Sequence, residues 1–419
     1  MTFPNAKSPL ISRALRAIAL VFYCIALFLV FDLIYSNFLY ATPSHSGDRP
    51  ARTADAHFDH GLAANFDGYD TWSRRYRLVT NSLGFKDAAA RTVPLTSDRH
   101  RILLIGDSFT EGIEFPFEET FAGLLYRAGE QREDKIEFLN AAVASYSPFV
   151  YHRKIKHLVE IGLHFDEVVV FSDISDVNDE ATKYFCSDDD PQYRAYCRST
   201  GPAPVDKSPA TWRGFGRFWE SNFVVSDGVQ KTIRDKIDAL RGRDIDKLFK
   251  VFPYVAGSGW TIPNLDMKIF FPPLGVEGGI ARSLKNMQAL ADVLAARGIP
   301  LTIVVYPWPT QLASEDRNSR QVAIWKEFCS KNCKAFINLF PAFFAEKDAH
   351  ADWYTRLFIR GDVHFSAEGH RAMFRAVAKY LLSTGLRSGR GVGDRRQSVK
   401  APTTTYPDVR NSGDLGNAN

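Results

Sequence analysis

Residues 101–112 read RILLIGDSFTEG: an aliphatic run stops at Gly106, and Asp107 and Ser108 follow. A short continuous apolar run marks a strand buried on both faces, as in a parallel sheet. Runs of the same kind recur at KIEFLNAAV (135–143), DEVVVFS (166–172), LTIVVYPWP (301–309) and KAFINLF (334–340). Helical patterns lie between them: FEETFAGLLYRAG, the stretch Pro148–Gly162 with its basic face, and GIARSLKNMQALADVLAARG. In the last of these, Ile280, Leu284, Met287, Leu290 and Leu294 form one apolar stripe. Gly298 is placed to close that helix in a left-handed conformation. SAEGHRAMFRAVAKYLL closes the series, with Ser366 placed as its N-cap. Strands alternating with helices predict an α/β fold, a parallel sheet with helices on both faces. Ligands bind such sheets beyond the carboxyl ends of the strands, and Ser108 lies two residues past the first one.

The 419-residue chain is long enough for one large domain with appendages. At 45% apolar and 13% aromatic residues it can fill a sizeable core. A net charge of only +4, with no basic stripe, argues against nucleic acid as the main partner. The amino-terminal end is apolar from Ala17 to Phe31, and only Asp32 interrupts it before Tyr35. That length approaches the roughly 20 residues a bilayer core requires. Lys7, Arg13 and Arg16 precede it, which predicts a single-pass anchor over 17–40 in the inner membrane, residues 1–16 cytoplasmic and the remainder periplasmic. A cleaved signal peptide is the competing reading, but no clean A-x-A site follows. Export would permit disulfides. Apart from Cys24 the cysteines are Cys186, Cys197, Cys329 and Cys333, and local pairing gives Cys186–Cys197 and Cys329–Cys333. Their spacing is not that of a zinc site. Residues 41–77 are expected to be a linker, 78–385 the domain, and 386–419 a disordered tail.

Between about 177 and 275 the alternation breaks. This insertion holds a helical stripe of Val229, Ile233, Ile237 and Leu240, and many aromatics, Trp212, Phe215, Phe218, Trp219 and Trp260 among them. Such aromatics either stack on sugar rings or form the core of the insertion itself.

A serine becomes a nucleophile when a base, an orienting group and oxyanion donors converge on it. RGDVHFSAEGH supplies Asp362 and His364, two residues apart and just before the last helix. Tyr306 and Trp308 follow a strand at the ligand edge and could line a substrate pocket or simply pack. His370 in the last helix and the pair in HFDH (57–60) carry no specific signal of catalysis or metal binding. Neither a P-loop nor G-x-G-x-x-G is present, so no nucleotide cofactor is expected, nor any other.

In order along the chain, GDSFTEG resembles the first block of the SGNH, or GDSL, hydrolase superfamily, and DVHFSAEGH resembles its last. TNSLGFKD (80–87) is similar to an element that precedes the first block in many membrane-anchored members. NAAVASYSP (140–148) and FSDISDVND (171–179) stand where the second and third blocks belong. The resemblance spans roughly residues 78–383, most of the insertion excepted. It implies a flavodoxin-like three-layer sandwich, with Ser108 as nucleophile, His364 as base and Asp362 as its orienter. The Ser108 N–H would be one oxyanion donor. Ser145 stands where the second block has glycine, and Ser175 where the third has asparagine, with Asn178 able to substitute. The D-x-H spacing resembles a branch that handles O-acetyl groups on exported polysaccharides. The implied activity is an esterase acting on carbohydrate O-acetyl groups. An O-acetyltransferase would use the same triad with a multi-spanning acyl-donor or polysaccharide-export partner. A non-catalytic saccharide-binding or assembly protein is the reading that the altered second and third blocks allow.

Overall fold

The computed structural model describes residues 9–39, 50–72, 75–184, 219, 222–240, 257–262 and 271–383. The chain opens with helix α1 (Pro9–Ile34). Two antiparallel hairpins follow, β1 (Arg52–Asp55) with β2 (Asp59–Leu62), and β3 (Asp67–Thr71) with β4 (Arg75–Val79). The described part of the stretch expected to be a linker, residues 50–72 and 75–77, is therefore folded. Its strands are short and polar, and their inward residues (Leu62, Phe66, Tyr76 and Leu78) are buried only because they pack on the rest of the chain.

The central sheet has five parallel strands. They are β5 (Arg101–Gly106), β6 (Glu137–Asn140), β7 (Glu167–Ser172), β8 (Leu301–Val305) and β9 (Ala335–Asn338). Their spatial order is β6-β5-β7-β8-β9, the flavodoxin-like order, whose switch point lies beside the first strand. Every residue of β5 and β7 is buried, as their unbroken apolar runs require. The crossovers and flanking helices are α2 (Ser108–Glu111), α3 (Phe121–Glu130), α4 (Pro148–Glu160), α5 (Asp176–Thr182), α6 (Val224–Leu240), α7 (Gly275–Ala295), α8 (Arg320–Asn332), α9 (Phe340–Ala349) and α10 (Ala367–Leu381). α3 packs with α10 on one side of the sheet, and α4, α7 and α8 pack in a row on the other. Ser366 caps α10, its hydroxyl accepting the Gly369 N–H at 3.0 Å.

Two ion pairs, one buried and one with an exposed lysine, pin the lower edge of the sheet. Arg101, which is fully buried, donates from Nε to Glu137 (2.8 Å), and Lys334 donates to Glu167 (2.6 Å). Of the insertion, α6 carries the expected stripe, and Val229, Ile233 and Ile237 are exposed on it. Asp32 near the end of α1 accepts the first N–H groups of that helix, from Val225 (2.9 Å) and Ser226 (2.6 Å). Trp260 is buried and donates to Ile174 O at 2.8 Å, so it serves packing and offers no platform. Trp219 stacks on Phe223. Cys329 and Cys333 are joined, their sulfurs 2.11 Å apart. Cys186, Cys197, Trp212, Phe215, Phe218 and the tail expected over 386–419 lie outside the described residues.

Candidate active site

Strand β5 ends at Gly106, and the turn that follows leaves no room for a side chain. A β-carbon there would stand 2.4 Å from Thr110 Oγ1 and 2.9 Å from the Phe171 carbonyl oxygen. Asp107 then caps α2, accepting the Phe109 N–H at 3.0 Å, and this places Ser108 as the first residue of the helix. Ser108 Oγ lies 2.8 Å from His364 Nε2, across 256 residues of sequence. His364 Nδ1 lies 2.7 Å from Asp362 Oδ1. A neutral imidazole bonded this way holds its proton on Nδ1, where it donates to the carboxylate, and accepts the serine hydroxyl at Nε2. Burial opposes the charge on Asp362. The hydrogen bond and charge of His364, with the backbone N–H groups of His364 and Val363, more than offset it and hold the carboxyl below its ordinary range.

The loop carrying the pair is fixed from behind. His364 O accepts the Ile359 N–H (2.8 Å), and Tyr354 donates its hydroxyl to Asp362 O (3.1 Å). The Phe109 ring packs 4.9 Å from the imidazole. All three groups are nearly buried, yet each keeps a small opening to solvent, 8% for Ser108 and His364 and 9% for Asp362.

The segment 141–147 forms the neighbouring wall. Ser145 has φ +67°, the left-handed region that favours glycine. The loop is gripped on three atoms: Ala144 N–H donates to Glu111 Oε2 (2.7 Å), His60 Nε2 meets Ala144 O (2.8 Å), and Tyr184 donates to Ser145 O (2.6 Å). The element TNSLGFKD works beneath α2. Asn81 Oδ1 accepts the N–H groups of Leu83 and Phe85, which shapes the turn. Lys86, buried, donates to the carbonyls of Gly112 and Phe115, both at 2.6 Å. Burial pushes its ammonium down to about 8 against the pull of Glu111.

Several expected site residues are placed differently. Ser175 spends both donors on Asp173 Oδ1, its N–H and its hydroxyl each at 2.7 Å, so neither is aimed at an oxyanion. The cause is that Asp173, itself buried, needs donors. Trp308 also serves it, from Nε1 to Oδ2 at 2.7 Å. Tyr306 is fully buried between Phe109 and Phe365, its hydroxyl turned to Asp107 (3.4 Å), and it lines no open pocket. Trp308 is nearly buried as well and belongs to the same packing. Asn178 is half-buried within α5, its carbonyl accepting from Thr182 (2.8 Å). His370 accepts the Phe121 N–H in the core.

Two features escaped the sequence. The first is the acid floor under Ser108: burial and the neighbouring Asp173 push both Asp107 and Asp176 well above the ordinary carboxylate range. The second is Trp72, at the end of β3, which is 47% exposed and stands with its ring 6.1 Å from that of His364, edge-on. It stands within the stretch expected to be a linker, where nothing in the sequence marked it.

No family model matches this chain, and no curated protein matches it. Solved structures do resemble it. One is the psychrotrophic esterase EstA from Pseudoalteromonas sp., 12% identical, covering 68% of this chain and 99% of that one, TM-score 0.34. Another is a member of the lipolytic protein G-D-S-L family from Veillonella parvula, 11% identical, covering 68% and 98%, TM-score 0.34. A third is a catalytic mutant of Axe2, an acetylxylan esterase from Geobacillus stearothermophilus, 13% identical, covering 71% and 100%, TM-score 0.34. At such identities and TM-scores the likeness says nothing of this chain's chemistry, which rests on its own atoms.

Proposed function

We propose that the protein is a serine acyl hydrolase of the SGNH type, removing O-acetyl groups from a carbohydrate on the outer side of a membrane. The observation that carries this is the unbroken chain from Ser108 Oγ through His364 to Asp362. Ser108 Oγ attacks the ester carbonyl while its proton passes to His364 Nε2. The charge that develops on the carbonyl oxygen falls to the N–H groups of Ser108 and Ser145, with Asn178 as the side-chain candidate for a third donor. The intermediate collapses as His364 returns the proton to the leaving sugar oxygen. Water, deprotonated by the same imidazole, then frees Ser108 and releases acetate.

The carbohydrate assignment rests on Trp72, whose exposed ring beside His364 offers an apolar platform to a sugar face. The membrane assignment rests on α1. Leu15–Asn37 is long and apolar enough to cross a bilayer, with a mean hydropathy of 2.7 and little of it buried against the protein. Arg13 and Arg16 flank the cytoplasmic end in this reading.

Covalent labelling tests the proposal. Folded protein treated with a fluorophosphonate should gain one adduct, mapped by mass spectrometry to Ser108. Ser108→Ala and His364→Ala should abolish it. A folded protein that takes no adduct at Ser108, and matches both variants, is not a serine hydrolase.

A further inference from the structure

The basic face of α4 and the HFDH stretch take no part in the chemistry above, yet the fold brings them to a cavity of about 500 Å3. His57 enters it from the β1–β2 turn, His152, Arg153, Lys156 and His157 from α4, and Lys285 from α7. Among the described residues Glu160 is the one acidic side chain in the lining. The rings of His57 and His157 stack at 4.2 Å. Arg153 is held in place, its Nε donating to His57 O (2.8 Å) and its guanidinium lying over Phe149 (5.1 Å). Lys156 comes no nearer to Glu160 than 3.9 Å, and both are more than half exposed, so the pair neutralises little. The field inside is positive: burial, then Lys156 and Arg153, push His152 below the ordinary imidazole range, against the weaker opposing pull of Asp292. The Asn286 amide is already committed to Glu180 (2.8 Å).

Cationic and imidazole N–H donors converging on one concavity suit an anion with several oxygens. Both walls continue into the candidate active site. α4 begins directly after the 141–147 loop, and the hairpin that carries His57 also carries His60, bonded to Ala144 O beside Ser145. We propose that this cavity binds an anionic group, a sugar carboxylate, on the same glycan whose ester Ser108 attacks. That the bound glycan is also the one Ser108 attacks rests on the hydrolase reading; the binding does not.

The test uses the full chain in detergent as Ser108→Ala, so that nothing turns over. It is titrated calorimetrically with a uronic-acid tetrasaccharide, a neutral tetrasaccharide and inorganic phosphate. The uronate should bind at least tenfold tighter than the neutral sugar, and weaken with salt. Lys156→Glu should lower its affinity about tenfold and Lys156→Arg should restore it. The His152 imidazole, followed by NMR, should titrate at higher pH when the uronate is bound. Equal affinity for charged and neutral sugars, indifference to Lys156→Glu, or binding of phosphate alone would overturn the proposal. Uronate binding in a protein whose Ser108 takes no fluorophosphonate would support the anion site and sink only the hydrolase reading. Labelling without uronate binding would do the reverse.

Discussion

At position 145 the backbone adopts φ +67° although the residue carries a β-carbon. A left-handed conformation costs an L-residue about 1–2 kcal/mol, and Ser145 bears it while only its N–H is asked to act. Ser145→Gly should therefore raise stability by up to about 1 kcal/mol in denaturant melts, the relief being partly offset by a freer unfolded chain, and should keep kcat within a few-fold. Loss of activity in a stable Ser145→Gly protein would instead assign work to the hydroxyl. Asp362 is the opposite case, a side chain whose charge is the function. Asp362→Asn should lower kcat by about 10⁴-fold, because the amide can favour the wrong imidazole tautomer. Its pH signature follows from the depressed carboxyl. The stability it gives is fully present above the ordinary carboxylate value and is lost as pH falls through the lower folded one. Acid melts of parent and Asp362→Asn should then converge as pH drops through that window.

The two amino-terminal hairpins show what an element can do without a core of its own. Arg52 on β1 donates to both oxygens of Glu111 (2.6 and 3.0 Å) and to Asp70 on β3 (2.8 Å). Glu111, fully buried, in turn holds the Ala144 N–H. The hairpin thus neutralises the acid that shapes the loop beside the nucleophile. Arg52→Ala should destabilise the fold by about 2–3 kcal/mol, the low end for a broken buried pair, since Arg52 is itself 29% exposed. Urea melts would show it, and Arg52→Lys should recover part of the loss. Trp72, on the other hairpin, should matter to substrate and hardly to folding. Trp72→Ala should raise KM for an acetylated oligosaccharide about tenfold and Trp72→Phe should restore most of it, because an aromatic contact contributes on the order of 1 kcal/mol. The strands were illegible as strands because they are short and mostly polar, and what holds them lies far away in sequence: Arg52 pairs with Glu111, and Leu62, Tyr76 and Leu78 are buried against the rest of the chain.

As a whole the molecule is a five-stranded parallel sandwich tied to an apolar helix. Asp32, near the end of that helix, accepts the first N–H groups of α6, so the two helices are joined there. The full chain should sediment with membranes and stay there after carbonate extraction at high pH, and a chain starting at residue 41 should remain in the supernatant. Release of the full chain by carbonate would replace the spanning helix with a peripheral contact.

What the sequence determined by itself was local or strictly patterned. Apolar runs fixed β5, β7 and β8, which are buried on both faces and tolerate little else. Block order along the chain pointed to Ser108, Asp362 and His364, and placed Ser145 where the second block has glycine. What tertiary structure decided were the contacts between segments remote in sequence. It turned Ser175 to Asp173, buried Tyr306 and Trp308, built the hairpins out of an expected linker, and set Trp72 beside His364. Each depends on which buried polar group needs a partner once the chain has closed, and that demand does not exist until the fold creates it.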